Sequence, residues 1–300
     1  MIQYNPKDWF TFIFRAHKGD TIRTLMPLIV TIAIYAATIV FLEKDYFHLN
    51  DKSFVKNISI LHTLLGGVIS LLLVFRTNSA YDRWWEGRKL WGELTNNARN
   101  ISVKLASILD EKEVKDREFF KKIIPAFAYA LKNHLLSGKA EWELFDEVLN
   151  EAQNKRIDRE KHIPIQVSQL MYEHLFDLQK QGKITEIQLL FLNDEIKSFM
   201  NICGACERIK NTPIPFSYSV FIKKFIFGFV MTLPFSMMFT LGYLSVPIIC
   251  FIFYVLASLE LIAEEIEDPF GGDANDLPMK SMAKNIHKHV SEIFTADSQK

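Results

Sequence analysis

The 300-residue chain has only three cysteines, Cys203, Cys206 and Cys250, too few for a disulfide framework. Cys203-Gly-Ala-Cys206 is a single C-x-x-C with no second pair or histidine cluster beside it, so it reads as small packing residues on a helix in a reducing compartment. Neither sign of charge is in excess: 35 basic and 35 acidic residues cancel, which removes the electrostatic footprint of a nucleic-acid binder. The motifs G-x-S-x-G, H-E-x-x-H and G-x-x-x-x-G-K-[ST] are all missing, and His48, His134 and His174 have no ligand spacing, so no enzyme is expected. The first 23 residues lack an A-x-A cleavage pattern and the apolar run behind them is long enough to span a bilayer, so no signal peptide is expected to be cleaved.

What the chain does have is apolar residues in long, charge-free runs. Hydrophobic residues make up 49%, charged residues 23%, and the mean hydropathy is +0.07, values that divide the chain between two solvents. Thr24 to Leu42 and Asn57 to Phe75 are each 19 residues without Asp, Glu, Lys or Arg, close to the ~20 a helix needs to cross a bilayer core. Phe225 to Leu259 is a third such run of 35 residues. As one helix it would be about 52 Å long, too long for one crossing, and Gly242-Tyr-Leu-Ser245 followed by Pro247 supplies a turn. Four spans follow: Thr24 to Leu42, Asn57 to Phe75, Phe216 to Leu241 and Val246 to Ala263. Glu43 to Lys56 is expected to be a short outside loop.

Between residues 86 and 212 charge is dense, glycine and proline are sparse, and Leu131, Leu135 and Leu136, like Leu189, Leu192 and Ile196, recur at helical spacing. This is an amphipathic helical domain outside the lipid, closed by Pro213-Ile-Pro215. The expected organisation is a segment at 1–23, transmembrane helices 1 and 2 at 24–85, the helical domain at 86–212, transmembrane helices 3 and 4 at 213–264, and a C-terminal segment at 265–300. The second helix meets no proline, and no glycine between Gly67 and Gly87, so it is expected to continue beyond the lipid. Arg76, Arg83, Arg88 and Lys89 crowd its lower end while the Gly242 loop is uncharged, which puts the helical domain and both termini in the cytoplasm. Asn5, Pro6 and the aromatics Trp9, Phe10, Phe12 and Phe14 suit a helix lying in the membrane interface or packed on the protein's own spans.

Three stretches carry a resemblance. Phe75-Arg-Thr-Asn-Ser-Ala-Tyr-Asp-Arg83-Trp84-Trp85-Glu-Gly-Arg-Lys-Leu-Trp91-Gly follows the second apolar span; Cys206-Glu-Arg-Ile-Lys-Asn-Thr-Pro-Ile-Pro215 precedes the third; Glu267-Asp268-Pro269-Phe270-Gly271 follows the fourth. In this order and spacing they resemble the bestrophin family of ion channels, in its bacterial branch. The resemblance implies an all-α membrane protein forming a homopentamer around one central pore in the inner membrane. By position in the motif, Gly67, Leu71 and Phe75 would form a hydrophobic neck on the second helix, where a narrow apolar ring stops ions by dewetting. Gly67 departs from the bulky aliphatic more usual there, which leaves gating mainly to Leu71 and Phe75. Without the resemblance, Leu71 and Phe75 read as residues packed between helices. A second constriction lower in the pore falls at Ile184 or Ile187.

Glu264, Glu265, Glu267, Asp268, Asp273 and Asp276 lie within thirteen residues, and the matching segment of animal bestrophins is a calcium clasp. Here Gly272-Asp273-Ala-Asn275-Asp276 interrupts the acidic run. Helix capping and solvated charge is therefore the first reading, with Ca²⁺ held by Asp268, Asp273 and Asp276 as the alternative, and no cofactor is required. His62, inside the second span, faces either an outer vestibule or a neighbouring helix. The function expected is passive conduction of monovalent ions, cations before anions, with the bilayer, the permeant ions and further copies of the chain as partners. A membrane transporter or a membrane-anchored scaffold is the alternative.

Overall fold

In a computed structural model, residues 20–49, 58–136 and 142–296 are described; the expected interfacial helix near the N-terminus lies outside them. Every regular element among them is helical: α1 (Thr21–Phe41), a π-helical turn (Leu42–Tyr46), α2 (Ile58–Ile108), α3 (Val114–Leu135), α4 (Glu143–Val148), α5 (Glu151–Lys155), α6 (Ile163–Lys180), α7 (Glu186–Asn211), α8 (Phe216–Leu241), a 3₁₀ turn (Gly242–Leu244), α9 (Ser245–Glu267) and α10 (Met279–Ala296). The chain divides into two compact units, one ending at Arg83 and resuming over Pro213–Asp268, the other comprising Trp84–Thr212 and the segment from Pro269 onward.

The apolar unit holds α1, the first part of α2, α8 and α9. Ile32 and Ala36 of α1 pack with Ile69 and Leu73 of α2, Ile226 of α8 and Ile249 of α9, all buried. Hydroxyls find partners inside the unit: the buried Thr21 Oγ1 lies 2.9 Å from Ser258 Oγ, and the partly buried Tyr35 hydroxyl donates to the Met231 carbonyl at 2.9 Å. The outward faces are just as apolar, with Leu28, Ile34, Phe227 and Phe251 each more than half exposed. A helix that is hydrophobic all round, with half of it left uncovered by the described residues of its own chain, is built for lipid or for a second protein surface. Among the described residues, Thr21–Tyr46, Ile58–Ile108 and Phe216–Glu267 are the stretches long and apolar enough to cross a membrane. The last is divided at Gly242, whose φ of 53° ends α8.

One sequence expectation shifts here and another holds. The chain from Glu43 to Tyr46 is helical rather than loop, because the π turn continues α1 directly. The second span has no break at its charged end: α2 runs on through Arg76 and the tryptophans to Ile108, since nothing in that sequence opposes a helix.

The charged unit is a helical pack around Trp91, Leu94, Ile101 and Leu105 of α2. Phe127 of α3 stacks on Phe199 of α7 with ring centroids 5.0 Å apart, and Val167 of α6 and Ile286 of α10 close the core. Each fully buried aliphatic or phenylalanine contributes roughly 1.5–3 kcal/mol by leaving water. Starts are well marked: Thr185 and Gln188 form a reciprocal capping box on α7, as Asn150 and Gln153 do on α5. Pro213 and Pro215 separate α7 from α8.

Candidate functional site

On α2 the two faces are unlike. Ile69, Leu73, Arg76 and Ala80 are buried, whereas Leu64, Val68, Leu71, Val74 and Phe75 are at least half exposed. Leu71 and Phe75 are 57% and 56% exposed, and a β-carbon added to Gly67 would meet nothing within 4 Å. Their spacing of four places Gly67, Leu71 and Phe75 on one stripe. His62 lies on the other side, donating to or accepting from Thr232 Oγ1 of α8 at 2.8 Å with its ring edge-on to Phe229, so of its two readings it takes the neighbouring helix.

Directly after Phe75, on the buried face of α2, Arg76 meets a charge cluster that spacing along the chain does not reveal. Arg76, 1% exposed, has Nε 3.4 Å from Glu260 Oε2 and Nη2 2.7 Å from Glu267 Oε2. Glu267 also accepts from the Ile214 amide at 2.6 Å through Oε1, and its backbone carbonyl accepts from Arg83 Nε at 3.0 Å. One glutamate thus ties α2, the Pro213–Pro215 break and the end of α9 together. Burial makes this matter: exposed pairs contribute under about 1 kcal/mol, but removing one partner of a buried pair costs about 3–5 kcal/mol.

Within the charged unit the remaining signature residues meet. Trp84 Nε1 donates to the Asn275 carbonyl at 3.1 Å and stacks beside Trp85. Phe270 is fully buried with its ring over Gly87. The loop holding Pro269, Gly271 and Asn275 is fixed by Asp276, whose Oδ2 accepts from the Gly272 and Asp273 amides, and by Leu277 N donating to the Pro269 carbonyl at 2.9 Å. The Asp276 carboxylate is thereby engaged in holding the loop. Asp273 is exposed and Asp268 partly so. Of the two lower-constriction candidates, Ile184 is buried in the core and Ile187 is 79% exposed at the start of α7.

Cys203 and Cys206 are fully buried on α7. Burial pushes the Cys203 thiol up to about 12 and raises Cys206 as well, so both are protonated packing groups. The expectation that the histidines lack ligand spacing needs correction for His134. Together with His162 it converges on Glu207, with each Nε2 2.6 Å from the same Oε1, a constellation drawn from three helices and invisible to spacing along the chain. Burial acts to raise the Glu207 carboxyl, and the two histidine hydrogen bonds overcome it, holding it below the usual range.

The family model described as "Bacterial/Fungal Bestrophin protein" matches residues 1–292. The chain belongs to the bestrophin family. It is 29% identical over 295 residues to a voltage-dependent anion channel-forming protein of Nostoc, covering 96% of this chain and 92% of that protein. It is 30% identical over 287 residues to the voltage-dependent anion channel-forming protein YneE of Escherichia coli, covering 95% and 91%. Among solved structures, a bacterial bestrophin homologue from Klebsiella pneumoniae superposes with a TM-score of 0.79 at 26% identity, over 92% of this chain and 100% of that one. Family, relatives and fold point away from an enzyme and to a membrane protein of the channel class.

Proposed function

We propose that this chain is the subunit of a homopentameric ion channel that conducts monovalent ions passively across the inner membrane. The observation that carries the reading is the stripe at Gly67, Leu71 and Phe75, an apolar helix face that the described residues of its own chain leave uncovered. Facing copies of itself around an axis, it forms a neck in which Leu71 and Phe75 exclude water when narrow and admit it when slightly widened. Four crossings, by α1, the upper part of α2, α8 and α9, leave both termini and the charged unit in the cytoplasm, in keeping with the basic residues that follow the second span. Ile187, the more exposed of the two lower candidates, supplies the second constriction.

Selectivity has two readings on different grounds. The bacterial-type motif favours cations; the names of the Nostoc and Escherichia coli relatives favour anions. Hydrophobic rings carry no sign of charge to decide between them. The test is purified protein in a planar bilayer under asymmetric KCl. Discrete current steps support a channel, and the sign of the reversal potential selects the ion. Silence of a demonstrably pentameric preparation overturns the reading.

A further inference from the structure

The cluster of His134, His162 and Glu207 in the charged unit takes no part in the proposed pore. His134 sits in the last turn of α3, His162 is the N-cap of α6, and Glu207 is near the end of α7. Both Nε2 atoms lie 2.6 Å from one carboxylate oxygen, the ring centroids are 4.3 Å apart, and the ligand atoms fall within 4.8 Å of one another. We propose that these three side chains form a binding site for a late first-row divalent metal ion, with Zn²⁺ as its representative.

The donor set argues for the class of ion. Two imidazole nitrogens with one carboxylate oxygen suit zinc and its neighbours; Ca²⁺ and Mg²⁺ prefer oxygen alone. Ligand atoms around a tetrahedral zinc stand about 3.3 Å apart, so to admit the ion the Glu207 oxygen withdraws roughly 0.7 Å from each nitrogen, and the two nitrogens, within 4.8 Å of one another, settle to the same spacing. The side chains are free to do so, being 33%, 28% and 30% exposed for His134, His162 and Glu207. That same exposure opens the fourth corner to water.

Metal binding has a local consequence. Without metal, His162 Nδ1 accepts from the Ile165 amide at 3.3 Å, so its proton sits on Nε2. Coordination through Nε2 moves that proton to Nδ1 with no net release and frees the Ile165 amide, a first-turn donor that water can satisfy. Lys210, whose Nζ donates to the His134 carbonyl at 3.3 Å, is the nearby cation that binding must tolerate. The ion would clamp the end of α3, the start of α6 and α7 to one another, independently of whether the protein conducts.

The test is a Zn²⁺ titration of the full-length, tag-free protein in detergent, by competition with a chromophoric chelator, beside a thermal melt. The expected result is one ion per chain and a raised melting temperature. His134→Ala, Glu207→Gln and His162→Asn should each weaken binding more than about 100-fold, since even residues behind the ligands cost 10- to 100-fold. Asparagine is a good N-cap, so His162→Asn keeps α6 started while deleting the ligand. Unchanged zinc affinity in His162→Asn and Glu207→Gln, absence of zinc binding at micromolar concentration, or equal affinity for Ca²⁺ at these residues would each overturn the site.

Discussion

The Phe270 ring lies so close over Gly87 that a β-carbon on the glycine would stand 3.1 Å from its Cζ and 3.3 Å from Leu277 Cδ1. Two motifs almost two hundred residues apart are thereby interlocked, and the glycine is a packing requirement. Gly87→Val should destabilise the charged unit by about 1–3 kcal/mol through overpacking. Gly204→Ala on α7, where an added carbon meets nothing, should instead stabilise it by roughly 0.5–1 kcal/mol. Urea midpoints followed by circular dichroism measure both, and equal signs would refute the close packing at Gly87.

The Arg76 guanidinium stands between the carboxylates of Glu260 and Glu267. Arg76→Leu should cost about 3–5 kcal/mol by stranding them in a buried site. Combining it with Glu260→Gln should recover part of the loss, a coupling that a double-mutant cycle reads directly. Additive effects would show that the guanidinium and Glu260 do not interact.

Leu71→Ala and Phe75→Ala each remove bulk from the proposed neck, and each should raise open probability in single-channel records. Val74→Ala, on the adjacent stripe of α2, should change it less. Identical traces for all three would remove the neck from this face.

His174 and His287 lie in the charged unit, and burial lowers the pKa of both from the ordinary 6.5, against the pull of Asp116 on His174 and with the push of Lys121 on His287. Their folded values lie below the unfolded one, so the unfolded chain takes up protons first as pH falls. Stability of the unit is therefore unpenalised above pH 6.5 and declines as pH drops below it towards the folded values. His287→Phe, placed against Tyr129, should flatten the decline. A pH-independent urea midpoint between pH 7 and 5 would contradict it.

Some parts of this structure are legible in the sequence. Apolar runs locate α1, α8 and α9, because a helix with no charge over ~20 residues is matched to a bilayer core and poorly suited to water, and Gly242 and the Pro213–Pro215 pair mark ends through backbone geometry alone. The charges of the Glu43 segment suggest a loop, whereas a π turn lets a helix carry them past the apolar run. The His134, His162 and Glu207 cluster is hidden from spacing, since its members come from three helices and meet only when α3, α6 and α7 pack. Arg76 is visible as a charge ending a span, but its partner Glu267 lies far along the chain at the end of α9, and the tie between them exists only in three dimensions.

The apolar unit is assembled from two stretches of chain separated by the whole run Trp84–Thr212. At 5–20 residues per second, about 130 residues take roughly 6–26 s to synthesise, and for that interval α1 and the first part of α2 exist without α8 and α9. Ile69, Leu73 and Arg76 then lack the neighbours that will cover them, and the guanidinium has neither glutamate. The early half of the apolar unit is thus made well before the late half, and its buried face is completed only when α8 and α9 follow.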